Sequence, residues 1–375
     1  MPARVSPIQL AIVGGGVIGA ACARAAVRRG MNVTLFAPGP DPAAASAASA
    51  GMLAAQIEPA DAALLPLAVR GRDLYEDLAA SLKHTTGIDI GFQRCGILTV
   101  AYDDAEVAAL FDRVARQRQA GLRCDWLDTA ELHERWPGIA PGAWGALSAP
   151  EDGCLDPGRL AAALHADATR LGVTLHPGTV GRVTITAGRV TSLVVGRARI
   201  PVEQVVIAAG AWSSRIGGLP RPIPVEPVRG QIVATAWPVG VPAAIVHHGE
   251  GYLLPRGNDA ILGSTMERVG FNARTTAAGV SHIRRTTSRL CPGLSTLPAH
   301  RVWAGLRPVT PDGRPIIGAD PDVGGLWYAT GHGRNGILLA AITGEIIAGL
   351  LSAGQTDVDI SQLTVGRFNT GAADG

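Results

Sequence analysis

The sequence has no C-x-x-C pair: its five cysteines, Cys22, Cys95, Cys124, Cys154 and Cys291, are odd in number and far apart. That argues against a disulfide framework and a thiolate zinc site, and leaves free thiols, as expected in a reducing cytoplasm. It has no block of like charge either. The 33 Lys and Arg and 31 Asp and Glu give a formal net charge of +2 and are scattered along the chain. Nothing calls for nucleic acid or an anionic membrane as partner, and a small molecule is the expected ligand. No uninterrupted apolar run is long enough to span a bilayer. The stretch "IQLAIVGGGVIGAACA" lacks a clear basic n-region and is cut by three consecutive glycines, against a targeting segment. "GILLAAITGEIIAGLL" is interrupted by Glu345 and reads as a buried helix of a soluble domain.

The chain is 375 residues long and 47% hydrophobic, enough for two packed cores. Ile8 to Val13 reads as a buried strand. Gly14-Gly15-Gly16-Val17-Ile18-Gly19 follows at once, and Val17 to Arg29 reads as a helix closed by Gly30. This is G-x-G-x-x-G between strand and helix, the setting of a dinucleotide site. Gly14 makes the tight turn, Gly16 admits a pyrophosphate to the helix N-terminus, and Gly19 lets helix and strand pack closely. The second strand, "NVTLF", should deliver an acid to the adenosine ribose, but Ala37 stands there. Either Asp41 reaches back to the ribose, or backbone groups and water hold it.

A nicotinamide dehydrogenase usually continues as alternating strands and helices. Here "VTLHPGTVGRVTITAGRVTSLVV" reads as a β-meander, and a strand "QVVIAAGAWSS" follows. That order is similar to FAD-binding oxidoreductases, in which Ala208-Ala209-Gly210 would return beneath the cofactor and Val180 would meet the adenine through its backbone. A second glycine-rich turn, "GHGRNGILLA" from Gly331 to Ala340, precedes an apolar helix whose N-terminus suits an electron-rich guest.

Four motifs carry a closer resemblance: "SAASAGMLAAQIEP" (Ser46 to Pro59), "GYLLPRGNDAILGSTME" (Gly251 to Glu267), "WAGLRPVTPDGRPIIG" (Trp303 to Gly318) and "GHGRNGILLAAITGEII" (Gly331 to Ile347). Together they resemble the D-amino-acid oxidase superfamily, and "RNGILLA" and "AGML" its glycine-oxidase branch, over nearly the whole chain. The implied fold is mixed α/β, a Rossmann-like FAD-binding domain from segments 1–75, 150–220 and 305–375. A mixed-sheet substrate domain, 76–149 and 221–304, is inserted into it. "RDLYEDLAASLKHTTG" and "DAEVAALFDRVARQRQAG" have the matching helical periodicity.

The resemblance also implies site residues. Ser49, Gly51, Met52, Gly333, Arg334, Asn335, Gly336 and Ile337 would join Gly14, Gly16, Val17, Ile18, Gly19, Val180, Ala209 and Gly210 against FAD. Arg307 would clamp the substrate carboxylate with two parallel hydrogen bonds, aided by Tyr252 and Arg334, while Met52 and Met266 wall the pocket. Glu58 would lie near the entrance, and Glu250 replaces a histidine of some relatives. Relatives with covalent flavin use a cysteine where this chain has Gly305, so FAD should be non-covalent. The implied reaction passes hydride from Cα to flavin N5 without a side-chain base, His332 included, yielding an imine and, with oxygen as acceptor, hydrogen peroxide. Glycine or another small amino acid or amine would be the substrate, and the imine would serve thiamine thiazole synthesis. Two alternatives stay open: a dehydrogenase for a D-amino acid or hydroxyproline that uses another acceptor, and a flavin-binding subunit without turnover. Self-association is left open.

Overall fold

Strand Ile8–Val13 is short, β-branched and fully buried from Leu10 to Ile12, so it can only be central to a sheet. The computed structural model describes residues 7–39, 41–57 and 62–368. In it this strand lies between Val33–Phe36 and Ala198–Ile207, parallel to both. Thr174–His176 extends the sheet beyond Val33–Phe36, and Leu326–Thr330 extends it beyond Ala198–Ile207, again in parallel. Ile316–Ala319 closes that edge as an antiparallel strand.

Helices Val17–Arg28, Leu65–Thr86, Pro157–Arg170 and Gly336–Ala353 share one core with a face of this sheet, including Leu10, Ile12, Tyr75, Leu160 and Ile346. Gly336–Ala353 is the one described helix long and apolar enough to cross a bilayer. It packs against Val17–Arg28 and Leu65–Thr86, and its first turns, Ile337 to Ala340, are buried. The apolar run is therefore a core helix, as its interruption by Glu345 predicts.

The opposite face carries strands Val180–Thr186 and Arg189–Val195, paired in antiparallel fashion with each other and with the start of Ala198–Ile207. Two details differ from the sequence reading. Thr174–His176 leaves the meander and joins Val33–Phe36, because its hydrogen bonds complete the parallel edge. Strand Ala198–Ile207 stops before Ala208, and Gly210–Arg215 forms a 3₁₀ turn instead, entered through Gly210 at φ +54°.

A second sheet runs in the order Ala299–Val309, Glu226–Ala236, Asp259–Gly263, Gly251–Arg256, Ile245–His248, Ile97–Ala101, Gly145–Ala149 and Asp125–Asp128. All its pairings are antiparallel except Ile245–His248 with Ile97–Ala101. Helix Ala277–Leu290 covers one face through Ile283 and Leu290, and helix Asp104–Gln119 covers the other through Leu110 and Val114. Asp103 caps the latter by accepting from Glu106 N–H at 2.8 Å. Cuts at 75/76 and 304/305 would pass through helix Leu65–Thr86 and strand Ala299–Val309. The strands of the first sheet lie within 1–75, 150–220 and 305–375, and those of the second, apart from that straddling strand, within 76–149 and 221–304.

Candidate active site

The parallel strands end at Val13, Phe36, Ile207 and Thr330, and beyond their carboxyl ends lies a cavity of about 1400 Å³. Open α/β sheets bind ligands in this place. The volume exceeds the roughly 300–1,000 Å³ of ordinary small-molecule pockets, as an extended ligand requires. The second sheet supplies the far wall through Gly230, Ile232, Tyr252, Ser264 and Gly305 to Pro308.

Both glycine-rich turns open onto this one cavity. In the first, Gly14 has φ +118°, and a Cβ at Gly19 would lie 1.8 Å from Gly14 O, so the turn closes only with glycine at both places. The first backbone bond inside the helix is Ala20 N–H to Gly16 O at 2.9 Å, which leaves the preceding N–H groups outside the helix ladder. Ser46 Oγ accepts from Val17 N–H at 3.0 Å. Ile18 and Gly19 N–H therefore remain at the positive end of the helix dipole. In the second turn, Leu339 N–H makes the first bond of its helix to Asn335 O, so Gly336, Ile337 and Leu338 N–H lie outside the ladder too. Asn335 Oδ1 is buried without a hydrogen-bond partner. A buried orphan acceptor beside open helix N–H groups fits a polar heterocyclic ligand better than an apolar one.

The residues expected to meet FAD line this cavity: Gly14, Gly16, Val17, Ile18, Ser49, Gly51, Met52, Val180, Ala209, Gly210, and Gly333 to Ile337. Gly19 packs behind the turn instead, its Cβ position occupied by backbone. Ala37, Pro38, Gly39 and Asp41 line the cavity beside the first glycine turn, and Asp41 Oδ1 accepts from Ala43 N–H at 2.8 Å. That bond commits one carboxylate oxygen to the local turn and leaves the backbone beside Ala37 on the cavity wall. Gly305 faces Ala48, and a Cβ there would come within 2.3 Å of Ala48 Cβ. No cysteine fits between them.

At the other end stands Arg307. Its Nη1 donates to Thr265 O at 3.0 Å and to Met266 Sδ at 3.4 Å, and its Nη2 donates to Ser264 Oγ at 2.9 Å. Gly230 makes room for this placement, because a Cβ there would lie 2.0 Å from Nη1. Tyr252 is buried on the same wall, directly across from Gly263, whose missing side chain admits the phenol. Arg334 lines the cavity from an exposed position. Met52 borders it, whereas Met266 does not: Met266 is exposed and turns its sulfur to the Arg307 guanidinium. Glu250 is exposed and away from the lining, and Glu58 lies outside the described residues.

His332 is fully buried, and its Nε2 is 3.0 Å from Thr343 Oγ1. Burial pushes the imidazole down to about 3, so it is neutral near pH 7. Several positioning groups gave no signal in the sequence. His165 Nε2 donates to Gly15 O at 2.7 Å, which sets the tautomer, since a carbonyl only accepts. Trp303 Nε1 donates to Ala48 O at 3.0 Å, and the Arg256 guanidinium donates to Ala50 O. These two side chains of the second sheet hold the cavity-lining segment 48–52 in place. Among the described residues no His, Cys, Asp and Glu cluster could hold a metal ion.

The family model for FAD dependent oxidoreductases (DAO) matches residues 9–350. The chain belongs to this family. A glycine oxidase of Geobacillus kaustophilus is 36% identical to this FAD-dependent oxidoreductase over 366 residues, 96% of this chain and 97% of the relative. The bifunctional protein ThiO/ThiG of Trichormus variabilis is 36% identical over 97% of this chain, which spans only 56% of that relative's length. The crystal structure of the Geobacillus kaustophilus glycine oxidase superposes with a TM-score of 0.92 at 34% identity, covering 97% of this chain and 99% of that one. Mixed α/β architecture and dependence on FAD thus belong to this oxidoreductase as they do to its family.

Proposed function

We propose that this enzyme is an oxidase of glycine and other small amino acids or amines, with oxygen as electron acceptor and an imine destined for thiazole synthesis as product. The first sheet with its four helices is the cofactor domain, and the second sheet is the substrate domain. The observation that carries the reading is the joint presence of Arg307 and Tyr252 on one wall of a cavity that both glycine turns enter. The glycine oxidase and ThiO/ThiG relatives support the choice of substrate and pathway.

When bound, FAD supplies the sink for the two electrons that leave the substrate Cα–H bond. The chain supplies binding and orientation. Arg307 is held from one side by Thr265 O and Ser264 Oγ, so its planar fork is set before a substrate carboxylate arrives. Tyr252 adds a hydroxyl donor to the same carboxylate, and Arg334 adds positive charge. Met52 fills space beside Cα and favours a small substrate. The helix N-termini at Gly16 and Asn335 stabilise negative charge, on a pyrophosphate at the first and at the heterocycle at the second. No side-chain base is assigned, since burial makes His332 a very weak base and its Nε2 is committed to Thr343.

Arg307→Ala tests the reading. It should lower kcat/KM for glycine by about two orders of magnitude while the protein stays yellow. Unchanged kinetics would remove Arg307 from the clamp.

A further inference from the structure

Cys95 and Cys154 are far apart in sequence but meet beside the cavity wall. Gln93 and Cys154 form an antiparallel bridge, with N–H···O bonds of 2.9 and 3.0 Å, and Gly96 N–H bonds Asp152 O at 2.9 Å. Cys95 lies between these two contacts, two residues from the direct partner of Cys154. The Cys154 thiol donates a hydrogen bond to Cys95 sulfur.

The pair is asymmetric. Cys95 is exposed and Cys154 is buried. The shared hydrogen bond holds Cys95 below the usual thiol range and, with burial, holds Cys154 above it. The other three thiols are buried, and burial pushes Cys22 up to about 12, Cys124 up to about 11 and Cys291 above its ordinary value. Of the five, Cys95 alone combines solvent access with thiolate character, the two conditions for reaction with peroxide. The positive charge of Arg256 faces Cys154 and favours its thiolate once the hydrogen bond to Cys95 is lost.

We propose that Cys95 and Cys154 are a redox pair, in which hydrogen peroxide oxidises Cys95 and Cys154 then closes an intrachain disulfide. The Cys95 thiolate attacks one peroxide oxygen, an S–O bond forms, the O–O bond breaks, and hydroxide leaves and takes up a proton. The Cys154 sulfur loses its proton and attacks the Cys95 sulfenic acid, an S–S bond forms, and the S–O bond breaks with release of water. Two thiols and one peroxide become one disulfide and two waters. Peroxide as a product of this enzyme rests on the oxidase reading above, but the thiol chemistry does not.

The bridge would reach the cavity. Cys154 pairs with Met52 across the two-stranded ladder, and Leu155 N–H bonds Gly51 O at 2.9 Å. A disulfide needs Cβ atoms about 3.5–4.5 Å apart, so closure fixes Cys154 against Cys95. Gly51 and Met52 are tied to that strand, and the KM for glycine should rise several-fold in the oxidised enzyme.

The test uses the full-length holoenzyme, treated with added hydrogen peroxide without substrate, then alkylated under denaturing conditions and mapped by peptide mass spectrometry. The expected result is one linked Cys95–Cys154 peptide, three alkylated thiols, and reversal of both the link and the KM change by dithiothreitol. Cys95→Ser should leave the other four thiols reduced, and Cys154→Ser should drive Cys95 to sulfinic acid. A wild-type protein in which Cys95 stays reduced, becomes sulfinic without bridging, or pairs only between molecules would overturn the proposal. Turnover of glycine in air should close the same bridge in a catalase-sensitive way. A bridge formed by added peroxide and not by glycine would uphold the pair and count against the oxidase reading alone.

Discussion

Gly230→Ala tests the clamp geometry without touching a polar group. A Cβ at this position would lie 2.0 Å from Arg307 Nη1, 2.4 Å from Cζ and 2.5 Å from Nη2. The obstructed atoms are the end of a flexible side chain rather than backbone, so the strand accepts the methyl group and the guanidinium swings away. It then leaves Thr265 O and Ser264 Oγ, now 3.0 and 2.9 Å distant, and the place where the substrate carboxylate would sit. A hydrogen bond to a charged group is worth about 1.5–3 kcal/mol, and about 1.36 kcal/mol corresponds to a factor of ten. The expected loss in kcat/KM for glycine is therefore roughly 10- to 150-fold. Peroxide release in air-saturated buffer gives the kinetics, and visible flavin absorbance checks that cofactor occupancy is unchanged. Wild-type kcat/KM in a fully flavinated Gly230→Ala protein would refute the placement of the clamp.

Tyr252→Phe removes one hydrogen bond to the charged carboxylate, about 1.5–3 kcal/mol, and should lower kcat/KM by roughly 10- to 150-fold; an unchanged value in steady-state assays would remove the hydroxyl from the clamp. Ser46→Ala takes the acceptor from Val17 N–H and should cost about 1 kcal/mol in urea unfolding of the flavin-free protein, with no change if water replaces it. His332 is buried neutral at about 3 and returns to about 6.5 on unfolding, so the unfolded chain binds the extra proton between these values. Its contribution to stability is complete above pH 6.5 and declines as pH falls toward 3. His332→Gln should flatten that slope in denaturation measured from pH 7 to 4, and an unaltered slope would contradict the assignment. Acid precipitation should release all the yellow chromophore, because Ala48 leaves no room for a tethering side chain at Gly305. Colour retained in the pellet would show a covalent link.

Local features were legible in the sequence because each is written in neighbouring residues. Ile8–Val13 and the helix after it follow from a buried run, a glycine turn and a closing Gly30, and helices Leu65–Thr86 and Asp104–Gln119 follow from 3.6-residue periodicity. Long-range placements were not legible. Thr174–His176 reads as part of a meander, since nothing nearby records that its partner is Val33–Phe36. Ser46, His165, Arg256 and Trp303 act on backbone atoms of distant segments, so no spacing rule exposes them. Met266 resembles a pocket wall in sequence, yet its sulfur is drawn to the Arg307 guanidinium. Cys95 and Cys154 look unrelated until the Gln93–Cys154 bridge brings them together.

The central claim is that this cavity holds FAD with glycine oriented for oxidation by Arg307 and Tyr252. Anaerobic titration of the purified yellow protein with glycine, followed by admission of air, tests it most directly. The account predicts that the visible flavin band bleaches and returns rapidly in air with release of peroxide. Bleaching without return would replace the oxidase with a dehydrogenase, and a band that glycine does not change would contradict the claim.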